Sequence, residues 1–120
     1  MKALEFCKNK INRDCDIKRH KLAAIAFSKS GNIIASAVNR KGAGYISDFS
    51  FHAEEYLVKK LHKLRARERF GFIRVLVVRM GRATPWALAK PCNGCRNILN
   101  NYGVTEVHYT DSFGRILEMA

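Results

Sequence analysis

The chain reads as an α/β protein, a three-layer α/β/α sandwich around one mixed five-stranded sheet. Two observations predict this. Five short apolar runs are bounded by Gly, Asn, Asp and Ser, as strands are. They alternate with stretches of helical period in the order helix, β, β, helix, β, helix, β, β, a pattern best buried by helices on both faces of a sheet. At 120 residues the chain is expected to form one domain spanning 1–120. That length buries roughly two-thirds of the unfolded surface, so no disulfide is needed.

Ala3 to Ile11 forms the first expected helix, with Leu4, Cys7 and Ile11 on one face. Asp14 to Lys21 is polar and reads as loop. Leu22–Phe27 and Ile33–Val38 read as a hairpin, and Gly31 or Asn32 suits the positive φ of its turn. Asn39 to Ser50 reads as loop. A helix from His52 follows, with Ala53, Leu57, Leu61 and Leu64 on its apolar face, Ser50 as its N-cap and Gly71 closing its basic tail. Phe72–Val78 is the most apolar run and reads as a central strand buried on both faces. After an irregular stretch, Arg79 to Lys90, a helix is expected over Cys92–Tyr102 with Gly103 as its stop. Val104–Thr110 and Arg115–Glu118 read as the last two strands, turned antiparallel by Asp111-Ser-Phe-Gly114.

No run approaches the ~20 apolar residues of a membrane span. The first residues show no signal-peptide pattern, so a cytoplasmic location is expected. The formal net charge is +12, from 22 Lys and Arg against 10 Asp and Glu. Such a field concentrates phosphorylated or polyanionic partners, although a solvated basic surface has the same composition.

The chemistry-bearing residues are His52-Ala53-Glu54 and Pro91-Cys92-Asn93-Gly94-Cys95, each expected at a helix N-terminus. One imidazole and two thiolates make a three-ligand zinc set that leaves the fourth position of the tetrahedron open, as a catalytic site does. Helix N-termini favour the thiolate forms of Cys92 and Cys95. Glu54 follows His52 by two positions, about 200° around a helix, so spacing alone does not aim both into one pocket. Cys7 and Cys15 have no comparable partner nearby and read as buried or idle thiols.

His-x-Glu followed by Pro-Cys-x-x-Cys is the signature of zinc deaminases, whose glutamate is not a ligand. The chain resembles the cytidine deaminase-like superfamily on Phe51-His52-Ala53-Glu54 and Lys90-Pro91-Cys92-Asn93-Gly94-Cys95-Arg96, and the likeness runs from about Leu22 onward. The resemblance implies Zn2+ held by His52, Cys92 and Cys95, with Glu54 moving protons during hydrolytic deamination of a nucleobase. It also implies that the Ala53 N–H meets the base carbonyl and that Asn39 contacts the sugar. Pro91 and Trp86 join these as substrate-binding candidates. A homo-oligomer, dimer or tetramer, is the implied assembly.

One position departs from the pattern. The free-cytidine branch has a glutamate two residues after the strand-end asparagine, where this chain has Lys41. A cation suits phosphate better than a sugar hydroxyl. The expected antiparallel last hairpin instead resembles the free-nucleoside deaminases more than the nucleic-acid editors. The leading expectation is conversion of cytosine to uracil in a (deoxy)cytidine nucleoside or nucleotide. The alternatives are a cytosine or adenine deaminase acting on single-stranded DNA or RNA, and a non-catalytic zinc-stabilised nucleic-acid-binding module.

Overall fold

The computed structural model describes residues 6, 7, 9, 21–41, 50–51, 53–80, 86–91, 93–104 and 106–119, with the backbone alone at 40–41 and 50–51. Five strands form the expected mixed sheet: β1 (Lys21–Phe27), β2 (Ile33–Val38), β5 (Arg74–Met80), β6 (Glu106–Thr110) and β7 (Ile116–Glu118), in the order β2-β1-β5-β6-β7. β5 runs parallel to β6 and antiparallel to β1, and β6–β7 is antiparallel as expected.

The alternation along β1 and β5 explains why both are central. Ala24, Ala26, Val75 and Val77 face one core cluster, while Ala23, Ile25, Leu76 and Val78 face the other. The first cluster lies beneath α1 (Ala53–Lys63), α2 (Ala66–Phe70) and α3 (Asn93–Tyr102), where Leu57, Leu61 and Leu99 fill the space left by Ala24, Ala26 and Ala37. Phe6 and Cys7, both helical, pack on the opposite face with Trp86, which completes the sandwich. Burial pushes the Cys7 thiol up to about 12.

Turn chemistry falls where the residues demand it. Gly31 takes φ 90° in the β1–β2 turn, and its N–H donates to Ser28 O at 2.9 Å. Gly103 takes φ 101° after α3, where Val104 N–H donates to Leu99 O at 3.1 Å.

Three expectations need correction. The helix expected from His52 to Gly71 is two helices, because Arg65 adopts the left-handed region at φ 52° and ψ 42°. That residue resets the helical phase: Leu64 turns outward to 40% exposure and Ala66 enters the core at 0%. The left-handed residue costs about 1–2 kcal/mol. Burial of Ala66 and the Arg67 N–H donating to Tyr102 Oη at 3.2 Å offset it. Ser50 is not simply a cap, since Ser50–Phe51 (β4) pairs antiparallel with Arg40–Lys41 (β3) inside the stretch expected to be loop. The central strand begins at Arg74 rather than Phe72 and runs on to Met80, which pairs with Lys21. Ile73 remains fully buried ahead of the strand.

Candidate active site

One edge of the sheet, where strand ends meet the segments entering two helices, carries Asn39. Asn39 follows the last residue of β2, Leu22 pairs with Arg79, and Arg79 N–H meets Thr110 Oγ1 at 3.4 Å. These four residues form a row across β2, β1, β5 and β6. Helices α1 and α3 begin along it. Phe51 pairs with Arg40, one residue past Asn39, and α1 starts at Ala53. The segment entering α3 crosses the same edge, where Ala87 bridges to Arg79 and Ala89 N–H donates to Thr110 O at 2.9 Å.

Glu54 is 2% exposed, a buried carboxylate in the first turn of α1. Cys95 is 2% exposed in the first turn of α3, and α1 packs against α3. Pro91 is buried just ahead of α3. Ala53 is fully buried at the first position of α1, where a backbone N–H has no acceptor within its own helix. His52 and Cys92 lie outside the described residues. Among the described residues no three His, Cys, Asp or Glu side chains gather as metal ligands.

Asn39 is 3% exposed, and its Oδ1 accepts the Leu22 N–H at 2.9 Å while its own N–H donates to Leu22 O at 3.2 Å. The first bond fixes the amide orientation, which sets where the two Nδ2 hydrogens can donate and leaves Oδ1 one further acceptor site. The backbone of Lys41 pairs with Ser50 in the β3–β4 ribbon. Trp86 packs into the core cluster on the sheet face opposite α1 and α3, with its indole against Gly114.

Thr110, expected from the sequence only as the end of a strand, organises this edge. It is fully buried, and its hydroxyl donates to Ala87 O at 3.1 Å. Its position at a strand terminus before a turn was visible in sequence. That its side chain faces the cysteine segment depends on the register of β6 against β5. Asp111 closes the following turn: its Oδ1 accepts the Phe113 and Arg115 N–H groups at 2.8 and 2.9 Å, and its Oδ2 accepts Arg115 Nε at 2.7 Å.

The donor chemistry that the sequence offers in His52, Cys92 and Cys95 suits a metal. An imidazole and two thiolates match zinc better than the oxygen-seeking divalent cations. A buried carboxylate close in sequence to the imidazole suits a proton carrier, and the adjoining helix N-termini favour anionic ligands.

The family profile described as the cytidine and deoxycytidylate deaminase zinc-binding region matches residues 1–111. None of the curated proteins matches the chain significantly. Among solved structures, a cytidine deaminase from Burkholderia pseudomallei is similar at 18% identity and TM-score 0.66, covering 100% of this chain and 93% of its own. A cytidine deaminase from Mycobacterium leprae matches at 20% identity and TM-score 0.58, over 100% and 96%. A dCMP deaminase from the cyanophage S-TIM5, in complex with dCMP and dUMP, matches at 21% identity and TM-score 0.61, over 91% and 82%. These likenesses agree with the mixed sheet and its helices. On the match across residues 1–111, the chain belongs to the family of cytidine and deoxycytidylate deaminases.

Proposed function

We propose that the chain is a zinc-dependent hydrolytic deaminase that converts cytosine to uracil in a (deoxy)cytidine nucleoside or nucleotide. His52, Cys92 and Cys95 hold the metal and Glu54 carries the protons. The observation that carries this reading is the burial of Glu54 and Cys95 in the first turns of two packed helices that start from one sheet edge. The reading takes residues 1–120 as one cytoplasmic, homo-oligomeric deaminase domain. No described helix is long and apolar enough to cross a membrane.

Zinc, when bound, supplies Lewis acidity that lowers the pKa of water toward neutrality. Glu54 accepts one proton from the attacking water and passes it to the ring nitrogen, then takes the second proton from the hydroxyl added to the ring carbon and delivers it to the amine, which leaves as ammonia. Its burial keeps competing bulk water away and strengthens each hydrogen bond it makes. Ala53 offers its helix-start N–H to the base carbonyl, and Asn39 offers Nδ2 to the sugar. Pro91 and Trp86 shape the segment that leads into the cysteines, and Lys41 provides a cation for a substrate phosphate.

The antiparallel β6–β7 pair supports a free nucleoside or nucleotide over a polymer at this site. The similar cyanophage enzyme in complex with dCMP and dUMP supports a nucleotide. Metal analysis of the purified chain tests the ligand set, with about one zinc per chain expected. Glu54→Gln is expected to keep that zinc and lose turnover. Turnover of cytidine, dCMP and cytosine-containing oligonucleotides is compared at two salt concentrations. Undiminished activity in Glu54→Gln overturns the proton-carrier role, and turnover confined to oligonucleotides overturns the substrate class.

A further inference from the structure

The pole of the molecule opposite the candidate site carries a groove with a composition of its own. β1 runs seven residues from Lys21, at the site edge, to Phe27, about 20 Å at roughly 3.3 Å per residue. Beyond Phe27, the β1–β2 turn faces the end of α2 across a groove of about 410 Å³ lined by Ser28, Lys29, Ser30, Asn32, Arg69 and Phe70. Among the described residues no acidic side chain lines it, and two of the six that do are cations.

The turn side of the groove is rigid and rich in hydrogen-bonding groups. Ser28 is 6% exposed, its Oγ lies 2.9 Å from Ser30 Oγ, and it accepts the Asn32 N–H at 3.2 Å. The Ser28 N–H donates to Asn32 O at 2.9 Å. On the far side, Phe70 is an aromatic left 40% exposed, and the Arg69 guanidinium lies 5.3 Å from its ring centroid. Hydroxyls, an amide, a lysine and an arginine are the groups that contact phosphate and sugar. An exposed ring backed by a guanidinium is the platform on which an unpaired base stacks.

We propose that this groove is a binding surface for single-stranded polynucleotide, separate from the deaminase site. Lys29, Arg69, Ser30 and Asn32 contact the sugar-phosphate backbone and Phe70 stacks a base. The net charge of +12 adds a long-range attraction for a polyanion. The exposed ring favours a single strand over a duplex, whose bases are already stacked, and over an acidic membrane surface.

The test is fluorescence anisotropy of labelled oligothymidine and oligouridine of about 20 nucleotides, long enough for the ~4–16 nucleotides that one such platform spans, with the full chain and with variants whose folding is verified by thermal unfolding. The wild type is expected to bind both single strands more tightly than a DNA duplex of equal length. The double variant Lys29→Glu, Arg69→Glu is expected to weaken binding and reduce the slope of log K against log salt by about 1.4, two phosphates at about 0.7 each. Phe70→Ala, or Phe70→Leu where alanine unfolds the chain, is expected to weaken binding roughly tenfold with the slope unchanged. Excess dCMP is expected to leave the bound oligonucleotide in place. Equal affinity for duplex or for anionic phospholipid vesicles, unchanged binding in either variant, or displacement by dCMP overturns the proposal. None of these outcomes depends on whether the chain deaminates cytosine.

Discussion

The hydroxyl of Thr110 donates to the carbonyl oxygen of Ala87 across 3.1 Å, and the Thr110 carbonyl accepts the Ala89 N–H at 2.9 Å. One fully buried residue at the end of β6 thus holds, from both its side chain and its backbone, the segment that runs into Pro91 and Cys92. Thr110→Val keeps the shape and deletes the hydroxyl, leaving the Ala87 carbonyl and the Arg79 N–H without that partner. Denaturant unfolding is expected to show a loss of about 1–3 kcal/mol. Thr110→Ser is expected to recover most of it, and equal stability of the serine and valine variants would sink the clamp.

Gly114 lies so close to Trp86 that an added Cβ would sit 2.6 Å from the indole Cδ1, at a backbone φ of +78°. Gly114→Ala therefore combines left-handed strain of about 1–2 kcal/mol with displacement of the indole. Trp86 is the chain's single tryptophan, so its fluorescence reports the change directly. A shifted emission maximum and a lowered unfolding midpoint are expected. An unchanged spectrum would show that the indole does not rest on this turn.

Burial pushes the Asp111 carboxyl up, but two backbone N–H donors and the Arg115 guanidinium outweigh it, leaving the group below its ordinary value. Folded Asp111 then binds a proton less readily than unfolded Asp111. Its contribution to stability is complete above the unfolded value of about 3.9 and is lost as pH falls through the lower folded value. Asp111→Asn removes the titrating group. Its stability curve below pH ~4 is expected to be flatter than that of the wild type, and parallel acid limbs would contradict the assignment.

Cys7 is fully buried, and its thiol is pushed up to about 12. Little thiolate exists near neutral pH, and the sulfur is shielded from reagents. Iodoacetamide labelling followed by peptide mass spectrometry is expected to leave Cys7 unmodified in the native chain and to modify it fully in denaturant. Rapid native labelling would mean that this layer of the sandwich opens readily.

Much of the fold was legible because hydrophobic period and turn residues act locally. The alternating burial of β1 and β5 follows from apolar residues at successive positions, and Gly31 and Gly103 stand where a positive φ is required. The break at Arg65 was not legible. The apolar spacing continued through Leu64, and what selects the left-handed residue is contact with distant groups, the core around Ala66 and the hydroxyl of Tyr102. The β3–β4 ribbon was hidden for the same reason, since its two strands are two residues each and become strands only by pairing with one another.

The sequence by itself determined the chemical inventory: one His-x-Glu, one Pro-Cys-x-x-Cys, and a lysine, Lys41, two residues after Asn39. Residue type and spacing state which donors are present, because ligand chemistry is a property of side chains. Only the tertiary structure decided that the first turns of α1 and α3 start from one edge, that Asn39 is anchored to Leu22, and that Thr110 supports the cysteine segment. Those relations join residues 17 and 23 positions apart and more. They depend on strand order and register, which the summed packing of the whole chain sets and no local stretch encodes.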